Sequence, residues 1–127
     1  FRRVNDDYGH TVGDRALIHL TDLVTSGIRD YDVFCRCGGA EFVAILPGCG
    51  VEGALFAINR VRREVENTPL LIDAGEVQIR FSAGVAELSE DEDGDALLER
   101  ADQALCAAKR AGRNRALVAP SVATWPA

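Results

Sequence analysis

Nothing in the 127-residue chain approaches the roughly 18–20 consecutive apolar residues that a membrane-spanning helix needs, so no membrane contact is expected of it. A secretory leader pattern is also missing, and residue 1 is Phe rather than Met. The chain is therefore expected to be an excerpt of a longer, cytoplasmic protein. A positive balance is lacking as well. Against 20 Asp and Glu stand only 14 Lys and Arg, a net charge of −6. Binding a nucleic acid polymer relies on displacing counterions from many phosphates, and an acidic domain is unsuited to it. A small anionic ligand stays open, because a few local Arg or Lys side chains suffice for it. The cysteines Cys35, Cys37, Cys49 and Cys106 form no C-x-x-C pair and have no His at zinc spacing. Cys35 and Cys37 alternate in an apolar run and would share one strand face. They are expected to be reduced thiols packed as small core hydrophobes.

What is present suits one domain with an unstapled core, since 47% of the residues are apolar and 27% charged. Val4 to Gly9 reads as a short helical turn stopped by Gly9. Ala16, Leu17, Leu20, Leu23, Val24 and Ile28 recur at helical spacing and predict a helix over 13–28. Val33–Cys37 and Glu41–Leu46 read as two strands around a Gly38-Gly39 turn, a β-hairpin. A helix is predicted over 51–67, with Pro69 beyond its end. The alternation of Val77, Ile79, Phe81, Ala83 and Val85 with polar residues predicts one strand over 77–85. The acidic stretch 87–95 reads as a solvated loop. Asp95 is the expected cap of a last helix, and Gly112 is placed to end that helix. Residues 116–119 suggest a short final strand. The domain is expected to span 1–119, and 120–127 to be a linker. Helices and strands in this order predict an α+β fold, with helices packed on a mainly antiparallel sheet.

The hairpin carries Cys37-Gly38-Gly39-Ala40-Glu41-Phe42, which resembles the GGDEF loop of diguanylate cyclases, spelled GGAEF here. Five further blocks resemble that family in the same order. They are Phe1-Arg2-Arg3-Val4-Asn5-Asp6, Tyr8-Gly9-His10 with Gly13-Asp14, Phe81-Ser82-Ala83-Gly84-Val85-Ala86, Ala101-Asp102-Gln103-Ala104-Leu105, and Ala108-Lys109-Arg110-Ala111-Gly112-Arg113-Asn114. The resemblance covers nearly the whole chain. It implies a nucleotidyl-cyclase-like fold with a ferredoxin-like palm, whose first strand would lie upstream of Phe1.

The resemblance further implies chemistry in which two GTP molecules, one on each domain of a homodimer, condense to cyclic di-GMP. Positioning and a divalent cation, Mg²⁺ or Mn²⁺, carry such phosphoryl transfer. The family's metal ligands are an Asp on the strand before the first helix and two acids of the hairpin. Here Ala40 replaces the first hairpin acid, so Glu41 is the remaining catalytic and metal-binding candidate. Without the resemblance, Glu41 would read as an exposed edge-strand charge. Asn5 and Asp14 match the residues that read the guanine edge, whose N–H donors suit a carboxylate. Their plain alternatives are a turn former and an acid at a helix N-terminus. Lys109 and Arg113 match phosphate contacts, against the plain role of complementing a helix C-terminus. Arg2 stands where the family often has a phosphate-binding Lys. Gly38 and Gly39 shape the turn beside the substrate. Arg29 and Asp32, with five residues between Asp32 and Gly38, match the family's R-x-x-D regulatory site for cyclic di-GMP. His10 is expected to be structural and His19 exposed.

Three functions follow. The first, favoured because of Ala40, is a catalytically impaired domain binding GTP, cyclic di-GMP or both. The second is a working cyclase. The third is a structural dimerisation module, against which the intact Asn5, Asp14, Lys109 and Arg113 argue. Fusion to other domains of the same longer chain, among them an EAL-type phosphodiesterase, is common in the family.

Overall fold

In the computed structural model the described residues are 2–120, with backbone alone at residues 2 and 3. The expected linker falls outside them beyond Pro120. The described residues form two compact units, one built from 2–48 and 63–80, the other from 49–62 and 81–120. Each is described separately.

The first unit opens with α1 (Arg2–Tyr8) and α2 (His10–Gly27). Between them stands Gly9 at φ 89°, a left-handed conformation open to glycine at no steric cost. The expected start of α2 at Gly13 is thus three residues late. The stripe Gly13, Ala16, Leu20 and Val24 is the buried face of α2, as its spacing predicts. A hairpin follows, of β1 (Val33–Gly38) and β2 (Glu41–Ile45), paired antiparallel from Val33↔Ile45 to Gly38↔Glu41. The register shifts between Arg36 and Gly38, so Cys37 is the extra residue of a β-bulge. Phe34 and Phe42 stack across the hairpin, with ring centroids 5.1 Å apart.

The thiols do not lie in the core. Cys35, Cys37 and Cys106 are exposed free cysteines, and Cys49 is half-buried. Alternation along β1 turns Phe34 toward the packed side and Cys35 and Cys37 toward the opposite one. Among the described residues the ladder holds these two strands alone, and both thiols of β1 stay exposed.

The end of α3 (Val51–Asn67) and the hairpin of β3 (Leu70–Ile72) and β4 (Gly75–Val77) complete this unit. His19 is not simply exposed: its Nε2 lies 2.7 Å from the Thr68 carbonyl and ties α2 to the segment after α3. The single strand expected over 77–85 is interrupted. Val77 and Ile79 are buried in alternation, as the pattern requires, yet residues 78–82 join no ladder. Alternation reports which side is covered, whereas a strand also needs a backbone partner.

In the second unit β5 (Ala83–Val85) pairs parallel with β6 (Ala116–Val118), and α4 (Gly94–Arg110) packs on both. Asp93, not Asp95, caps α4, its Oδ1 accepting the Ala96 amide at 2.8 Å. The acidic stretch before it is not wholly solvated, because Glu92 turns inward onto buried Arg100. The described residues thus form an α+β fold in which two of the three ladders are antiparallel. None of their helices is long and apolar enough to cross a membrane.

Gly84 accounts for one family block physically. A Cβ there would overlap the Ala101 carbonyl and the Leu105 amide, so the β5 backbone lies directly on the α4 backbone. Two backbones cannot yield as a flexible side chain can. Gly84→Ala is expected to cost about 1–3 kcal/mol through overpacking, read as a lower urea midpoint with unchanged slope.

Candidate functional site

The signature segment folds as a two-residue turn of Gly39 and Ala40, with Gly38 in β1 and Glu41 opening β2. Gly39 takes φ 38°, and its carbonyl accepts a hydrogen bond from Arg36 Nε at 2.7 Å. Arg36 is a positioning residue that motif reading passes over, since its role rests on a contact across the turn. Ala40 presents an exposed methyl group. Glu41 is also exposed. Among the described residues no group of three or more His, Cys, Asp or Glu is placed to hold a metal ion. The donor set therefore does not by itself fit a divalent cation, which takes several oxygen ligands. On the other face, lost hydration raises the Cys37 thiol above its ordinary value, with further contributions from the neighbouring Cys35 thiol and from Glu41.

Asn5, on α1, lays its carboxamide oxygen on the Cα of Gly13, where any Cβ would collide with it. The fold thus brings Asn5 beside the residue preceding Asp14, which is exposed on α2. Arg2 lies in α1, and its side chain is outside the described residues. An open groove of about 240 Å³ runs between Leu17, Ile18 and Asp22 of α2 and Phe34, Arg36 and Phe42 of the hairpin. None of the residues predicted from sequence lines it.

Lys109 and Arg113 belong to the second unit, at the end of α4. The Gly112 amide donates to the Lys109 carbonyl at 3.4 Å, and the Arg113 amide to the Ala108 carbonyl at 3.0 Å. This double closure is a Schellman ending with Gly112 at φ 122°, which explains the glycine of that block. Arg113 and Asn114 then both adopt left-handed backbone, φ 61° and 48°. For Arg113 that conformation carries a strain of about 1–2 kcal/mol. The surroundings hold it in place. The Asn114 amide donates to Ser82 Oγ at 3.0 Å, and Arg62 Nη1 donates to the Asn114 carbonyl and Oδ1 at 3.2 and 3.3 Å. Arg62 and Ser82 were not legible as site-shaping residues, being distant in sequence from the block they support.

Arg29 and Asp32 form a tight i,i+3 pair in the first unit. Arg29 Nε and Nη2 donate to the two carboxylate oxygens at 3.1 and 2.9 Å, and the Arg29 amide donates to Oδ2 at 2.8 Å. Nη2 also reaches the Pro47 carbonyl at 3.1 Å, and the guanidinium lies over the Tyr31 ring, 4.4 Å from its centroid. The Arg29 side chain is 42% exposed and that of Asp32 only 2%. These bonds, chiefly that from the Arg29 side chain, hold the Asp32 carboxyl below its ordinary value. The pair is therefore arranged with Asp32 beneath and Arg29 presented above it.

The α+β make-up of the described residues is consistent with a nucleotidyl-cyclase-like fold. The sequence model of the family described as "Diguanylate cyclase, GGDEF domain" matches residues 1–115, and the chain belongs to this family. It is 40% identical over 119 residues to the diguanylate cyclase DgcP of Pseudomonas aeruginosa, covering 94% of this chain and 18% of that protein. The active GGEEF domain of a diguanylate cyclase from Vibrio cholerae superposes with a TM-score of 0.86 at 35% identity, over 94% of this chain and 76% of that one. The GGDEF domain of DgcB from Caulobacter crescentus, in complex with c-di-GMP, superposes with a TM-score of 0.89 at 32% identity, over 94% and 72%. The chain spans 18–40% of the length of DgcP and of four other curated relatives that it matches.

Proposed function

We propose that residues 1–119 form a GGDEF domain of cyclic di-GMP signalling that has lost most of its cyclase activity and binds GTP, cyclic di-GMP or both. One observation carries this reading. The Gly39–Ala40 turn offers a methyl group where the active GGEEF relative has an acid, which leaves Glu41 as the single carboxylate at the turn. A divalent cation there, Mg²⁺ or Mn²⁺, would need donors that the described residues do not bring to it. In this reading Asn5 and Asp14 read the guanine edge, the Asp14 carboxylate accepting from its N–H donors. Lys109, Arg113 and Arg2 meet phosphate, and Gly38 and Gly39 let a phosphate approach the backbone. Arg29, held by Asp32, meets cyclic di-GMP.

The test is turnover of GTP to cyclic di-GMP with Mg²⁺ or Mn²⁺, for the chain as it stands and for Ala40→Asp. The unaltered chain is expected to make little or no product. Disturbing even an outer partner of a metal costs about ten- to a hundred-fold, and a lost ligand costs more. Ala40→Asp is expected to raise turnover by roughly ten-fold or more on the same grounds. Robust synthesis by the unaltered chain at saturating GTP would establish an active cyclase instead. Failure to bind any guanine nucleotide would leave a structural dimerisation module.

A further inference from the structure

We propose that Cys35 and Cys37 form a redox-modifiable dithiol, which a peroxide closes to an intrastrand disulfide on the strand leading into the Gly39–Ala40 turn. Nothing in cyclic di-GMP chemistry calls for this pair. It is the one place on the described chain where two exposed free thiols stand two residues apart. Both thiols are exposed on β1, and the Cys35 thiol lies near enough to Cys37 to act on it directly.

Reach decides whether such a bond can close. In a regular strand two residues at a rise of roughly 3.3 Å each put the Cα atoms, and the Cβ atoms with them, about 6.6 Å apart, whereas a disulfide needs its Cβ atoms about 3.5–4.5 Å apart, so closure requires a departure from regular strand geometry. A flat, fully paired strand would resist further shortening. Here Cys37 is the extra residue of the bulge, outside the ladder, and a bulged strand bends. The bulge supplies the slack. A link that needs such a departure is strained and readily reduced, so the modification is reversible.

The chemistry balances with the peroxide as oxidant. The Cys35 thiolate attacks one peroxide oxygen, breaking the O–O bond and forming a sulfenic acid with release of hydroxide. The Cys37 sulfur then attacks the Cys35 sulfur, expelling the sulfenic oxygen, which leaves as water with the Cys37 proton. Hydroxide and the first thiol proton make the second water. Two thiols are oxidised and one peroxide is reduced. Arg36, whose Nε pins the Gly39 carbonyl, lies inside the ring so formed, so closure also changes the support of the turn.

The experiment treats the chain with hydrogen peroxide, raised in steps until exposed Cys106 is modified, followed by non-reducing peptide mapping. Expected is a monomer lacking two hydrogens, with Cys35 linked to Cys37 at a dose that leaves Cys106 intact, and full reversal by dithiothreitol. Cys37→Ser should instead leave a Cys35 sulfenic acid trapped by dimedone. Both sites are exposed, so the serine variants keep the fold, as circular dichroism would verify. On closure the Gly38 and Gly39 amide resonances should shift in the wild type and stay unmoved in Cys35→Ser. Links between molecules through Cys35 or Cys37, sulfinic acids without a link, or prior modification of Cys106 would each overturn the proposal.

Discussion

Arg29→Ala is expected to weaken cyclic di-GMP binding about ten- to a hundred-fold, roughly 1–3 kcal/mol, as measured by titration calorimetry. The size follows from how the guanidinium is held. Asp32 takes two of its N–H donors from below, the Pro47 carbonyl takes a further bond, and Tyr31 supports its face. A side chain fixed before the ligand arrives loses little entropy on binding, so more of the charge-assisted contact appears as affinity. Arg29→Lys keeps the charge and loses the planar fork, and should fall between wild type and Arg29→Ala. Asp32→Asn should weaken binding through Arg29, because the carboxylate is buried and spent on that side chain. The Ala40→Asp variant should leave this affinity unmoved. Equal affinities for wild type and Arg29→Ala would place the ligand elsewhere. Absence of binding by both would leave the pair with a purely structural task.

The second large effect concerns stability. Arg100→Ala is expected to lower the melting temperature by roughly 10–20 °C, read by calorimetry or circular dichroism. Arg100 and Glu92 are 8% and 5% exposed at their side chains. Arg100 Nε and Nη2 each donate to a Glu92 carboxylate oxygen at 2.6 Å, Nη2 also reaches the Glu87 carbonyl at 2.6 Å, and Nη1 the Pro120 carbonyl at 3.0 Å. Truncation would strand a carboxylate and two carbonyls at once, which costs more than the pair contributes when intact. The same contact makes stability depend on pH. Arg100, chiefly, and the Ser89 amide hold Glu92 below its ordinary value of 4.5, and Glu92 raises Arg100. A depressed carboxyl contributes stability that is fully present above pH 4.5 and is lost as the pH falls through the folded-state value. Arg100 stays charged throughout that range. Urea midpoints should therefore decline on the acid side, and Glu92→Gln should flatten the decline. An unchanged acid limb in that variant would assign the loss to other carboxyls.

Much of this molecule is legible from local pattern. The bounds of α3, the hairpin before Glu41, the stop at Gly112 and the short last strand follow from side-chain periodicity and turn chemistry, which act within a few residues. The family blocks were readable for a related reason, since several of their glycines answer backbone needs: Gly84 lies on α4, and Gly13 accommodates Asn5.

The errors share a cause of their own. Asp95 satisfied the rule for a cap as well as Asp93, and only the path of the chain into α4 chose between them. The alternation over 77–85 registered which side was covered, while backbone partners were found only at its two ends. Cys35 and Cys37 look apolar in any composition, yet both are exposed, and alternation alone does not say which face of a hairpin is packed. Arg100 met Glu92 because a loop turned back on a helix. The sequence by itself determined the family, the helices, the turn and the loss of the acid at Ala40, because each is written in residues close along the chain. Tertiary structure alone decided which charges are buried together, that Asp32 lies beneath Arg29, and that Arg36 and Arg62 hold the turn and the helix end. Those outcomes depend on distances between segments, and a linear pattern carries no information about such distances until the backbone has closed on itself.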